Sequence, residues 1–147
     1  MSDTCFYSVP PGANDILRTA LEAAALPTAG IDGPGLLLFG LSDEIGLIGY
    51  IGLEGPGPDR LLRSMVVLPS RRRQGFGRTL VEHLETTARG EVERLHLLTT
   101  TAARFFGGLG YQEADRATAP PAIAGTAEFS TLCPASATYM IKSLSIT

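Results

Sequence analysis

Cysteine is scarce in this chain and scattered. Cys5 and Cys133 are the only two in 147 residues. Two thiols so far apart make no disulfide framework, so free thiols in a reduced, cytoplasmic setting are expected. No Cys/His cluster has metal-ligand spacing, and no metal is expected. His83 and His96 stand alone. His83 sits in a charged helical register and reads as a surface residue; His96, in a strand, reads as a satisfied core histidine. No stretch of about 18 or more apolar residues occurs, so no membrane span is expected. The opening MSDTCFYSVPPG lacks the basic start and apolar core of a signal peptide. Charge of one sign is lacking too: 12 Lys and Arg against 15 Asp and Glu leave a net −3. That argues against a nucleic-acid partner, which would call for a global basic field. No internal repeat or low-complexity segment is present.

What is present is a chain long enough for one core, with 44% hydrophobic residues. One domain over residues 1–147 is expected. Cys5 to Val9 reads as a strand, broken by Pro10 and Pro11. Asn14 or Asp15 can cap a helix carrying Ile16, Leu17, Leu21 and Ala24 on one side. Thr28 to Gly35 is loop-like. Gly35–Leu41 and Ile45–Leu53 form a hairpin about Ser42-Asp43-Glu44. The loop EGPGPD leads to a strand over Leu61–Leu68. Val92–Thr101 is a further strand, Ala102–Gly108 a short helix, and a strand runs from Gly110-Tyr111 to about Arg116. Pro120–Leu132 reads as helix, and Ala135–Leu144 closes the sheet.

The most informative stretch is SMVVLPSRRRQGFGRTLVEHLETTAR, Ser64 to Arg89. Met65 to Leu68 is a short apolar run of the buried-strand type. Pro69 closes it, because proline cannot donate to a sheet ladder. Leu80, Val81 and Leu84 then recur at helical spacing. Between strand and helix lie Arg71, Arg72, Arg73, Gln74, Gly75, Phe76 and Gly77. The glycines let the backbone turn closely, and a helix N-terminus adds unpaired donors and partial positive charge. The arginines raise the local potential. Such a turn suits a pyrophosphate. It is no Walker loop, for no Gly-Lys-Ser/Thr follows, and no dinucleotide fingerprint, for the third glycine is misplaced.

Arg72-Arg73-Gln74-Gly75-Phe76-Gly77 resembles the R/Q-x-x-G-x-G/A pattern of the GNAT acetyltransferases, which hold the pyrophosphate of acetyl-coenzyme A on this turn. Thr99 to Phe106, followed by Gly110-Tyr111, resembles the family's A-x-x-F-Y-x-x-x-G-F segment. The tail TAEFSTLCPASA, with Leu62-Arg63-Ser64, looks like the arsenic-resistance N-acetyltransferases, whose wider group acetylates the α-amino group of arsinothricin. The resemblance implies an α/β (α+β) fold. Its mixed, mostly antiparallel sheet of six to seven strands would be flanked by helices and splayed at a central parallel pair. It also implies an acetyl-coenzyme A cosubstrate, a small amine or amino-acid acceptor, and a homodimer formed through a sheet edge or the C-terminal strand.

Roles follow from the same resemblance. Arg72, Arg73, Gln74, Gly75, Phe76, Gly77 and Arg78 would hold the pyrophosphate. The backbones of Val66 and Val67 would pair with the pantetheine amides, and an N–H near Met65 or Val66 would face the oxyanion. Phe106 stands where the family has its acid tyrosine and counts here among the cofactor contacts, since a phenyl ring cannot protonate a thiolate. Tyr111, Thr101, Thr100 or a water remain as proton donors. The strand also lacks the usual carboxylate base. Glu54 is the remaining candidate, either acting through water or simply a solvated loop acid. Arg63, inside an apolar strand, needs a partner. With Ser64 it would bind a substrate carboxylate or arsinate, or else pair structurally with Glu54, Asp59 or Glu128. Cys133 invites a reading as an arsenic(III) ligand, but one thiol with Cys5 remote is a poor site for it, and cysteine is commonly just a small buried residue.

Overall fold

The computed structural model describes residues 3–10, 15–26, 28, 31, 35–132 and 136–144. Cys133 and the alternative helix cap Asn14 lie outside these residues. Seven strands form one sheet in the order β1-β2-β3-β4-β5-β7-β6. It is mostly antiparallel, with one parallel pair, and flanked by helices. The chain divides into two compact units, Met1–Leu53 with Ser64–Thr87, and Glu54–Arg63 with Ala88–Thr147.

In the first unit, β1 (Cys5–Val9) runs antiparallel to β2 (Leu36–Ser42), and β3 (Leu47–Glu54) and the far half of β4 (Asp59–Val67) follow. Helix α1 (Asp15–Ala23) turns Leu17, Ala20 and Leu21 inward onto Leu38, Tyr50 and Val66, the i, i+3, i+4 stripe that builds this core. Helix α2 (Phe76–Ala88) buries Leu80, Val81 and Leu84 and leaves Arg78 and Glu82 in solvent. Its His83 is not a plain surface residue: the imidazole stacks on the Phe6 ring, centroids 5.0 Å apart, and Phe6 stacks on Phe39.

In the second unit, Asp59–Leu61 of β4 pairs parallel with Arg94–His96 of β5 (Arg94–Thr99). Helix α3 (Ala103–Gly107) leads to β6 (Gln112–Ala114), only three residues where a longer strand was expected. The expected helix over Pro120–Leu132 is instead two pieces, α4 (Pro121–Ala124) and a π-turn, Glu128–Leu132. Gly125 takes the C-cap of α4, and its N–H bonds back to the Pro121 carbonyl. Strand β7 (Thr138–Ser143) does not close the sheet. It lies between β5 and β6, antiparallel to both. Leu61, Ile123, Phe129 and Tyr139 form the core here.

Candidate functional site

The turn after β4 is built by proline and one buried arginine. Pro69 starts a 3-10 turn, Pro69–Arg71, and Arg71 points inward. Its guanidinium is paired with Asp43, donates to the Gly46 carbonyl at 3.3 Å, and lies 5.3 Å over the Phe76 ring. Asp43 also accepts from the Ile45 and Gly46 N–H groups. The Arg71 hydrogen bond holds the Asp43 carboxyl below its usual range. Arg71 therefore fastens the turn to the β2–β3 hairpin, and its charge is spent there. The exposed basic charge of the turn comes from Arg72, Arg73 and Arg78, the last 3.7 Å from the equally exposed Glu82.

Arg73 and Gly75 have left-handed backbones, φ 65° and 82°. Alternating left-handed residues gather successive N–H groups into an anion-binding concavity. At the start of α2 the Thr79 N–H donates to the Gly75 carbonyl at 3.4 Å. The donors of Phe76, Gly77 and Arg78 stand ahead of it, as helix geometry requires. A Cβ built on Gly75 meets nothing within 4 Å, so the space beside the turn is open. Exposed Gln74 completes it. These residues fit a pyrophosphate.

On β4 the two candidate pairing residues differ. Val66 is 4% exposed and packs in the core, while Met65 and Val67 are half-buried. The Val67 carbonyl already accepts from Arg72 Nε at 3.0 Å. Ser64, in mid-strand, has φ 58°, a conformation that costs roughly 1–2 kcal/mol for a residue with a Cβ. Leu61, Leu62, Arg63 and Ser64 are all buried in succession, as in a strand covered on both faces. The Ser64 hydroxyl is buried without a hydrogen-bond partner among the described residues.

Arg63 occupies the second unit with the carboxylates expected to compete for it. Its Nη1 donates to Glu54 Oε1 at 2.8 Å, and its side chain is 2% exposed against 20% for Glu54. Glu54 is thus no solvated loop acid: it ends β3 and is held by the arginine. Asp59 pairs elsewhere. Glu128, 6% exposed, has a buried Oε2 without a hydrogen-bond partner among the described residues. Burial pushes its carboxyl up to about 7; Arg63 works against this and Glu54 with it.

Of the proton-donor candidates, Thr100 and Thr101 are exposed. Tyr111 is 3% exposed, edge-on to Phe106 at 5.5 Å, with the Lys142 ammonium 5.6 Å from its ring centre. Phe106 is itself buried. A chain of polar groups in the same unit was not anticipated beyond the single histidine. Asp59 takes two bonds from Arg94, at 2.7 and 3.0 Å, and bonds His96 Nε2 at 2.7 Å; His96 Nδ1 meets the Tyr139 hydroxyl at 2.7 Å. Arg94 holds the Asp59 carboxyl low, so it is ionised and only accepts. His96 Nε2 therefore carries the hydrogen, and Nδ1 accepts from Tyr139. Burial pushes the imidazole down and the phenol up to about 12. The signal in sequence was weak: an acid and a histidine 37 residues apart, joined only by the parallel pairing of β4 with β5.

Among the described residues no group of three or more His, Cys, Asp or Glu could hold a metal, and no helix is long and apolar enough to cross a membrane.

Residues 34–113, more than half of the chain, match the family described as Acetyltransferase (GNAT) domain. No curated protein matches. Among solved structures, the chain is similar to N-acetylglutamate synthase from Neisseria gonorrhoeae, complexed with coenzyme A and N-acetyl-glutamate. The TM-score is 0.80 at 16% identity over 99% of this chain, which spans only 36% of that protein's. It is similar to the ribosomal-protein-S18-alanine N-acetyltransferase of Escherichia coli, with TM-score 0.73 and 21% identity over 99% of this chain and 96% of that one. A GNAT acetyltransferase from Staphylococcus aureus Mu50 gives 0.75 and 14%, covering 97% and 100%. At these identities the likeness is one of fold.

Proposed function

Because the chain belongs to the GNAT family of acetyltransferases, we propose that it moves the acetyl group of acetyl-coenzyme A to the amino group of a small, amino-acid-like acceptor. Arsinothricin, the acceptor favoured by the resemblance of the tail, is the first to test. The turn Arg72–Arg78 holds the pyrophosphate, and the Met65–Val67 backbone the pantetheine. Arg63, with Ser64, holds the acceptor's carboxylate or arsinate. The observation that carries this acceptor class is Arg63 itself, a guanidinium with a 2% exposed side chain on an apolar strand. Its carboxylate partner, Glu54, accepts from Nη1 at 2.8 Å and keeps a fifth of its side chain in solvent. A planar guanidinium grips a carboxylate in two parallel bonds.

Three measurements test the reading. Calorimetry should detect coenzyme A binding to the folded protein; no affinity for coenzyme A or its acetyl form sinks the assignment. Gly75→Val, which places a branched side chain at φ 82° in open space, should weaken that binding about tenfold while leaving the fold intact. Thiol release over an amine panel should show turnover with amino acids. Arg63→Ala should then raise the acceptor's KM about tenfold, the scale of one charge-assisted hydrogen bond, and leave that of acetyl-coenzyme A unchanged. A folded Arg63→Ala protein with normal acceptor kinetics refutes the role.

Phe106 favours a second reading, a coenzyme A-binding module with little turnover, because it is buried where the family's acid tyrosine stands. Binding without thiol release over the whole panel would select it. The cytoplasmic setting and the homodimer belong to the same proposal. Light scattering tests the dimer, for which β1 and β6 are the sheet edges.

A further inference from the structure

We propose that Glu128 receives the acceptor's ammonium and takes its proton, serving as the general base of acetyl transfer. The inference rests on the amino-acid acceptor of the preceding subsection. Glu54, the base suggested by the sequence, already accepts from Arg63. Glu128 is the carboxylate left over. It is 6% exposed, and its Oε2 has no hydrogen-bond partner among the described residues. Buried carboxylate oxygens are ordinarily paired, because removing them from water without a donor is costly.

Among the described residues, the charged groups acting on Glu128 are Arg63 from β4 and Glu54 from β3. These two carry opposite charges and are paired with each other. When ionised, Glu128 is therefore an anion that this pair does not neutralise. A primary ammonium supplies a donor for Oε2 and a charge opposite to that of the ionised carboxylate. Nearby, Arg116 donates to the Phe129 carbonyl at 2.7 Å, and Tyr139 packs edge-on against the Phe129 ring. Both act on the residue after Glu128 and fix its backbone. Glu128 itself opens a π-turn, a rare local structure found often at functional sites.

The chemistry balances. The ammonium N–H bond breaks and its proton passes to Glu128 Oε2, leaving a neutral amine. The amine nitrogen then forms a bond to the thioester carbonyl carbon. As the carbon–sulfur bond breaks, the thiolate departs with the electron pair and takes the second proton of that nitrogen. Glu128 returns its own proton to solvent. A carboxyl lifted to about 7 by burial suits the first transfer. The α-ammonium of a free amino acid ionises above that of a peptide N-terminus, which ionises at about 8, so its proton moves uphill to this carboxyl, and the attack that consumes the neutral amine draws the transfer forward.

The test is the pH profile of kcat/KM for wild type and Glu128→Gln, with a panel of free amino acids and acetyl-coenzyme A. The amide keeps the size and removes the charge. Expected are a kcat lowered about a hundredfold or more, loss of the acid limb near pH 7, and an unchanged KM for acetyl-coenzyme A. Glu128→Asp should keep the acid limb at a reduced kcat, and it carries the test alone if the amide variant folds poorly. Wild-type rates and limb in Glu128→Gln, or a wild-type rate in Glu128→Asp, overturn the inference and leave acetyl transfer to amino acids standing. A wild-type enzyme that acetylates other amines but no amino acid overturns the acceptor assignment, and this inference with it.

Discussion

Gly49→Ala is expected to lower stability by about 3 kcal/mol, the upper range for overpacking, and the melting temperature by roughly 6–12 °C. Gly49 lies buried in β3. A Cβ built there comes within 2.2 Å of the Val66 carbonyl oxygen and 3.1 Å of Val67 Cα. Both neighbours are backbone, so no flexible side chain can swing aside; β4 itself has to move. Val66 sits in the core with Leu17, Leu21, Leu38 and Tyr50, and that packing resists the shift. The displaced segment is the one proposed to pair with pantetheine, and its Val67 carbonyl anchors Arg72. Coenzyme A affinity should therefore fall along with stability. Calorimetric melting and coenzyme A titration check both. Gly35→Ala is the control: nothing lies within 4 Å of its built Cβ, and a change within about 0.5 kcal/mol is expected. A Gly49→Ala protein indistinguishable from that control would mean the two strands stand further apart than the structure has them.

How far the sequence could be read is set by the range of the interactions involved. The strand, turn and helix from Met65 to Ala88 depend on neighbours in the chain: an apolar run, a proline stop and a 3.6-residue stripe. They appear where expected. Strand β1 likewise falls on Cys5–Val9 as read. What sequence alone misjudged depended on distant partners. Arg71 looks the same as Arg72 and Arg73 in the sequence. Only the β2–β3 turn, which brings Asp43 to it, makes it a buried structural ion pair while its neighbours stay in solvent. Glu54 looked like a loop acid because the glycines and prolines of EGPGPD follow it, but Arg63 nine residues on pulls it into β3. Glu128 was visible only as a possible partner for Arg63. That its carboxylate would be buried with an unbonded oxygen depends on the π-turn, for which no simple sequence period exists. The kink at Ser64 had no signal either, since serine in a strand carries no mark of a left-handed backbone.

The pH dependence of this protein's stability just below pH 6.5 should carry two opposing contributions, and single substitutions should tilt it in opposite directions. Burial lowers the His96 imidazole from 6.5. Just below that pH the unfolded chain binds a proton that the folded chain refuses, so His96 makes stability fall as the solution is acidified. Burial raises the Glu128 carboxyl from 4.5 to about 7. Between those values the folded chain holds the extra proton, so Glu128 makes stability rise on acidification and fall as pH climbs through 7. Each slope is at most about 1.4 kcal/mol per pH unit, and over its window Glu128 accounts for about 3 kcal/mol. The two oppose each other in the same interval. Glu128→Gln removes one side, and its unfolding free energy should drop as the solution is acidified below pH 6.5. His96→Gln removes the other and should gain stability over that range, whatever it loses at every pH from its bonds to Asp59 and Tyr139. Urea unfolding at half-unit steps measures both slopes, and the slope, unlike the absolute stability, is untouched by lost packing. Parallel curves for wild type and both variants would mean that neither burial shift exists, and that Glu128 is ionised at pH 7 like any surface acid.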